Sequence, residues 1–407
     1  MPETPFDPFS LADHANAESA LAAARAAGGA STPYAGVHVV TLDSDVREVM
    51  ADTELFSNQY NFALERGPAP AGDDPFKVIT RSDPPFHTTL RDFMRTWFAP
   101  AELRKLGPRI RQIVADAVGE LPSTGQADLV HTLARVIPTR TVYAFIGIPE
   151  SDWEQLQALA DENNTKLPDL DEEIIGRIFG TLAGIIERRR ISGERHEDVI
   201  DGLLYGRDGV EFAPEAAPAH LFQLLVAGTD TTTGLIGNVL YRLLEDPSRW
   251  DRLVKEPSLI APAIEESLRR DAPLQYTMRT ATAATSLGGC PVAPRDRVVI
   301  SLQSADTDEA TWGETALDFD IDRQGAGTHI AFARGIHTCL GAPLARIETQ
   351  ATLEALTTRF PHMRLVDGYE LEYLPALQFR MPSALPVELA PVVAAPSAEK
   401  NGHGEHL

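Results

Sequence analysis

Cysteine is nearly missing from this chain: Cys290 and Cys339 are the only two in 407 residues. That excludes a disulfide framework, and with no second Cys pair it also excludes a Cys-rich structural zinc site. A single bond between these two stays open at this stage. Positive charge is scarce as well. Lys and Arg number 36 against 59 Asp and Glu, a formal net charge of −23, which argues against nucleic acid as a partner. No apolar run approaches the length of a membrane span. The N-terminal stretch Met1-Pro-Glu-Thr-Pro-Phe is acidic and Pro-rich, without the basic and apolar regions of a secretory signal. The expectation is a soluble cytoplasmic protein with no membrane partner. Nucleotide fingerprints are missing too. Gly325-Ala-Gly327 lacks the third glycine of a dinucleotide site, and no Gly-Lys-Ser/Thr follows the Gly228–Gly234 run. A built-in flavin or nicotinamide module is therefore not expected.

Helical periodicity is plentiful. It is clear over Phe86–Phe98, Ala101–Val118, Val130–Phe145, Ser151–Asn163, Glu172–Arg190, Pro214–Glu245, Ser258–Asp271 and Ala342–Phe360. Strand-like pieces are short: Val37–Thr41, Arg279–Ala281, Thr285–Leu287, Arg297–Leu302 and Ala376–Arg380. With 43 % apolar residues and no linker that splits the chain, the pattern predicts one mainly α domain with small β-sheets over residues 1–390. The tail 391–407 is Ala-, Ser- and Glu-rich and is expected to be disordered. Tyr60–Lys77 is Pro- and Gly-rich and long for a connection, as lids and binding loops often are.

Cys339 lies in Phe332-Ala-Arg-Gly335-Ile-His337-Thr-Cys339-Leu-Gly341, directly before an amphipathic helix. A thiol there faces unpaired N–H groups and the positive end of the helix dipole, which favours the thiolate. Glycines on both sides let a flat cofactor approach the backbone. A buried structural thiol is the plain alternative for a lone cysteine. Elsewhere, Ala227-Gly228-Thr229-Asp230-Thr231-Thr232 sits inside an apolar helix. Threonine and aspartate are poor helix material, and the Thr231 hydroxyl can bond back to the carbonyl of Ala227. An acid beside an alcohol on a bent helix suits proton delivery; a polar kink without chemistry is equally compatible with these residues alone.

The stretch Phe-x-x-Gly-x-x-x-Cys-x-Gly resembles the haem-binding loop of the cytochrome P450 family. The Ala-Gly-x-Asp-Thr-Thr stretch is similar to that family's oxygen-activation motif. Glu266-x-x-Arg269 and His87-x-x-x-Arg91 match two further family patterns, in the family order. The resemblance implies the P450 fold, with haem b (iron protoporphyrin IX) between a long central helix and the Cys loop. It makes Cys339 the iron ligand, with Phe332, Gly341 and Ala227 lining the cofactor. His87, Arg91, Arg279 and His337 become propionate donors, and Asp230 and Thr231 the proton relay. It also implies an oxidoreductase, a monooxygenase that puts one oxygen atom from O2 into a moderately lipophilic small molecule. Electrons from NAD(P)H would come through a separate ferredoxin reductase and ferredoxin. Substrate contacts implied by the family's pocket segments are Phe62, Leu64, Gln223, Val226, Leu274, Gln275, Met278 and Gln378. A peroxide-driven peroxygenase and a non-catalytic haem-thiolate sensor or carrier are the alternatives. Ala333 departs from the pattern where a second Gly is frequent, and Ala305-Asp306-Thr307-Asp308 where Ala-Asn-Arg-Asp is common.

Overall fold

The computed structural model describes residues 6–63, 65–167, 171–207 and 209–390. Eight helices matter for the site: α1 (Phe86–Arg95), α2 (Pro100–Glu120), α3 (Val136–Ile146), α4 (Trp153–Asn164), α5 (Glu172–Ser192), α6 (Ala217–Leu244), α7 (Ile260–Arg270) and α8 (Ala342–Arg359). Local chemistry sets several of their ends. Asp171 accepts from the N–H groups of Glu173 and Ile174 to start α5, and Gly193 closes it with φ 68°. α6 threads the molecule and packs on α3, α5, α7 and α8. Two apolar cores flank it. One joins α2, the second half of α6, α7 and α8, the other α1, α3, α4, α5 and the first half of α6. Gly228 lets α3 and α6 approach, because a Cβ there would stand 2.5 Å from Val142 Cγ2.

A five-stranded sheet forms beside the helices from β1 (Ala30–Tyr34), β2 (Val37–Val40), β3 (Phe56–Ser57), β4 (Tyr276–Ala281) and β5 (Arg297–Ser301), in the order β1-β2-β5-β4-β3. β2 runs parallel to β5, with Val40 opposite Ile300, and β4 runs antiparallel to β5. Side chains alternate along β4. Tyr276 and Met278 point into a core with Phe6, Leu21 and Val37, which leaves Thr277 and Arg279 on the other face.

The mainly helical architecture with small sheets is as expected, and several boundaries are not. The run 130–145 is broken: a π-helical turn at Val130–Ala134 precedes α3. Pro138 has no N–H to give the carbonyl four residues back, so an uninterrupted α-helix loses a bond there. Residues 376–380 form no strand. They exchange single bonds with the Pro273–Gln275 segment, Arg380 N–H to Pro273 O and Gln275 N–H to Gln378 O. Pro273 cannot donate, so the ladder does not extend. β1 was missed because Pro33 lies inside it, which an edge strand tolerates. Leu64 and the tail 391–407 lie outside the described residues.

Candidate active site

Cys339 is held three residues ahead of α8 by a tight loop. Its N–H donates to the Phe332 carbonyl at 2.9 Å, and Thr338 donates twice to Gly335 O, from N at 3.2 Å and Oγ1 at 2.8 Å. Gly335 has φ 73° and Ala333 φ 54°. The left-handed region is free for glycine but costs alanine about 1–2 kcal/mol, so the departure at Ala333 puts strain into the loop. Burial pushes the Cys339 thiol up, while the N–H groups of Gly341 and Ala342 and the charges of Arg91 and Arg346 pull it down. Cys290 is a free thiol too, so the two do not pair.

Cys339 is exposed although protein surrounds its sulfur. Ala227, in the middle of the central helix α6, is exposed as well, whereas every residue from Thr232 to Leu240 on the same helix is buried. Accessible surface on residues enclosed in this way is the wall of an interior hollow. Gln223, Val226, Asp230 and Thr231 are half-buried around Ala227. Asp230 is pushed up to about 6 by burial, against the opposing charge of Arg135. The Thr231 hydroxyl donates to the Ala227 carbonyl at 2.7 Å, and α6 stays helical through it. Arg135 is anchored in turn to Asp161 of α4 at 3.0 Å.

Basic side chains gather on the sheet side of the loop. The rings of His87 and His337 lie 4.2 Å apart. Burial, Arg279, His87 and Arg91 together push His337 far down, and burial and Arg91 lower His87. Both rings are therefore neutral near pH 7 and offer N–H groups rather than charge. His87 is 1 % exposed, and neither of its ring nitrogens has a partner. Burial lowers Arg279 to about 10, with Asp83 opposing. Its guanidinium reaches only the Met278 carbonyl (2.7 Å) and Thr277 Oγ1 (3.3 Å). Among the described residues no carboxylate lies within ion-pair distance of Arg91 or Arg279. Buried donors without an acceptor are costly, and uncompensated cations more so. The arrangement fits an anionic group, as the two carboxylates of the haem implied by the resemblance would provide.

The remaining expected positions divide. Phe62, in a left-handed turn at φ 65°, is half-buried, as is Leu274. Gln275 is buried and already donates to Leu377 O at 3.4 Å. Gln378 is buried with an unpartnered Nε2. Met278 is a correction: strand alternation turns it away from Arg279 into the N-terminal core, so it does not face the hollow. Phe332 stacks under the Arg346 guanidinium at 4.6 Å. A Cβ at Gly341 would stand 3.7 Å from Cys339 Sγ, an ordinary van der Waals contact, so this position lies directly against the thiol.

Sequence reasoning missed Asn58, whose Nδ2 lies 3.3 Å from His337 Nδ1, and Arg135. Neither belongs to a local motif; only the tertiary fold brings them in. An outward groove of about 490 Å³ between α4 and α5 is lined by Arg177 and Arg188, already paired with Glu162 and Asp152, and is separate from the hollow.

Residues 163–367 match the model of the family described as Cytochrome P450. The vitamin D(3) 25-hydroxylase of Pseudonocardia autotrophica is 32 % identical over 367 residues, 88 % of this chain and 89 % of that protein. The mycinamicin IV hydroxylase/epoxidase of Micromonospora griseorubida is 31 % identical over 366 residues, covering 86 % and 88 %. Among solved structures, a mutant of P450 EryK in complex with erythromycin B superposes with a TM-score of 0.83 at 28 % identity, covering 95 % of this chain and 99 % of that one. No helix among the described residues is long and apolar enough to cross a membrane.

Proposed function

The chain belongs to the cytochrome P450 family of haem b monooxygenases, and from that premise we propose that it oxygenates a moderately lipophilic small molecule in the cytoplasm, drawing electrons from NAD(P)H through a ferredoxin reductase and a ferredoxin. What supports this reading is the accessible surface left on Cys339 and on Ala227 of the central helix, with the Asp230–Thr231 pair beside Ala227 and donors lacking an anion beside the Cys loop.

Cys339 is the iron ligand in this reading, and His87, Arg91, Arg279 and His337 hold the propionates. When bound, haem supplies the oxygen-activating chemistry, which a thiolate ligand favours by donating electron density. The protein positions substrate and controls protons. Asp230, with an affinity for protons raised by burial, takes up a proton near neutral pH and passes it toward the Thr231 hydroxyl. That hydroxyl already donates to Ala227 O, so its oxygen lone pairs are free to accept. Half-buried Phe62, Val226 and Leu274 contribute apolar wall, and Gln223 a polar one. The substrates in the relatives' names, vitamin D(3) and mycinamicin IV, support a small organic molecule as substrate. Basic residues near the Cys loop support docking of an acidic ferredoxin. Arg334 is exposed and has no carboxylate partner among the described residues. Arg346 is less suited, since it forms a bidentate pair with Glu265 at 2.6 and 2.9 Å.

The test is the reduced, CO-treated protein. The red-shifted Soret band of thiolate ligation is expected in the parent and in Cys290→Ser, and its loss in Cys339→Ser. A band that survives Cys339→Ser overturns the assignment.

A further inference from the structure

Away from the Cys loop, an alcohol and a carboxylate flank one histidine of the five-stranded sheet. His38 of β2 is 3 % exposed, and both of its ring nitrogens are engaged. Nε2 lies 2.8 Å from Asp296 Oδ2, and Nδ1 lies 3.0 Å from Thr32 Oγ1. A carboxylate only accepts, so Nε2 carries a proton. In the neutral ring the lone pair is then on Nδ1 and faces the hydroxyl. An alcohol bonded to a base, with that base oriented by a carboxylate, is the arrangement that activates hydroxyl nucleophiles.

The backbone builds this row. β2 lies between β1 and β5, so His38 reaches a neighbour on each side. On the β1 side the register slips: Ser31 opposes Val39 and Tyr34 opposes Val37, so Thr32 and Pro33 together face His38 across a bulge. A bulge of this kind re-aims a side chain, and the proline that follows keeps Thr32 extended. On the other side Asp296 immediately precedes β5. Its N–H donates to Ala293 O at 3.1 Å, its carbonyl accepts from Ala281 N at 2.9 Å, and Oδ2 also accepts from Ala293 N at 2.9 Å. The carboxylate is thus held in place, His38 is sheltered from water, and Thr32 is exposed where a reagent can reach it.

We propose that Thr32 is a modification site, a hydroxyl activated by His38 and Asp296 that takes an acyl group from an activated carboxylic ester. Oγ1 forms a bond to the acyl carbon, and the hydroxyl proton passes to His38 Nδ1. The bond from the acyl carbon to the ester oxygen breaks, and its electron pair leaves on that oxygen. The imidazolium, paired with Asp296, then returns its proton to the leaving oxygen or to water. Because Thr32 is exposed, water serves the developing oxyanion, which confines the reaction to esters with a good leaving group. The step uses no haem and does not depend on the P450 reading. Thr282 supplies the contrast within the same chain. It is also exposed, but its hydroxyl donates to the carbonyls of Glu54 and Leu55 at 2.8 and 3.1 Å rather than to a base.

Treatment of the full-length, haem-loaded protein with p-nitrophenyl acetate tests this. Peptide mass mapping over time locates the acetyl group, and the CO band and far-UV circular dichroism check folding. The acetyl group is expected on the peptide carrying Thr32, and to accumulate there faster than at Thr282. His38→Gln should slow acetylation of Thr32 by about 10²- to 10⁴-fold, the typical contribution of a general base. Asp296→Asn should slow it as well, because the ring loses the partner that orients it and stabilises its charge. Should His38→Gln fail to fold, Asp296→Asn and the comparison with Thr282 in the parent carry the test. Acetylation at Thr32 no faster than at Thr282 overturns the proposal. So does an unchanged rate in either folded variant, or an acetyl group found on His38 or on lysines in place of Thr32.

Discussion

Asp230→Asn isolates what burial does to the acid of the relay. In the fold this carboxyl is pushed from 3.8 to about 6, by burial first, with Arg135 opposing. The folded state then binds more protons than the unfolded chain between those values, so stability falls as pH rises through the window and the loss is complete above it. The shift corresponds to about 3 kcal/mol. Asparagine has the same shape and no charge to desolvate. The variant should therefore be more stable than the parent by up to about 3 kcal/mol at pH 7.5, with the gain vanishing near pH 4. At pH 7 about one parent molecule in ten still carries the proton, which the relay needs and asparagine cannot supply. Turnover should fall as stability rises. Urea unfolding of both haem-loaded proteins at several pH values, followed by the Soret band and far-UV circular dichroism, measures the difference. Adding Arg135→Gln removes the opposing charge and should enlarge the gain. A stability difference that is zero or negative at pH 7.5, or that does not change with pH, refutes the reasoning.

Thr231→Ala removes the hydroxyl beside Ala227 O and should leave haem and substrate binding intact; NAD(P)H consumption should then yield hydrogen peroxide in place of product, and tight coupling in that variant would show the hydroxyl is dispensable. Asp306 is 0 % exposed, its Oδ1 accepts from Ile330 N at 2.8 Å and its Oδ2 is unpartnered, and burial pushes it well up. Asp306→Asn keeps the acceptor and removes the ionisable proton, so the thermal midpoint should equal or exceed the parent's at pH 7 and the gap should widen as pH rises; a lower midpoint at every pH would contradict this. Arg334→Glu should slow reduction by an acidic ferredoxin at low salt without affecting azole binding, and an unaltered rate would remove Arg334 from the docking face.

The local sequence determined the chemistry-bearing motifs and the helical class. Phe332, Gly335, Cys339 and Gly341 are neighbours along one loop, and Ala227, Asp230 and Thr231 are neighbours along one helix, so spacing alone groups them. The Thr231-to-Ala227 bond was legible because helix geometry places a hydroxyl near the carbonyl four residues back. The pairing of Glu266 with Arg269 was legible for the same reason. That Arg323 shares the Glu266 carboxylate at 2.9 Å was not. Only the tertiary structure could decide which way Met278 faces, since alternation on β4 fixes two faces but not which one lies against the N-terminal helices. Only it brings Arg135 to Asp230 across 95 residues of chain, or Asp296 to His38 across 258. The physical reason is common to all three. A motif encodes contacts within a turn or two of backbone, whereas burial, and with it every shifted proton affinity in this site, depends on which distant segments exclude water from the group.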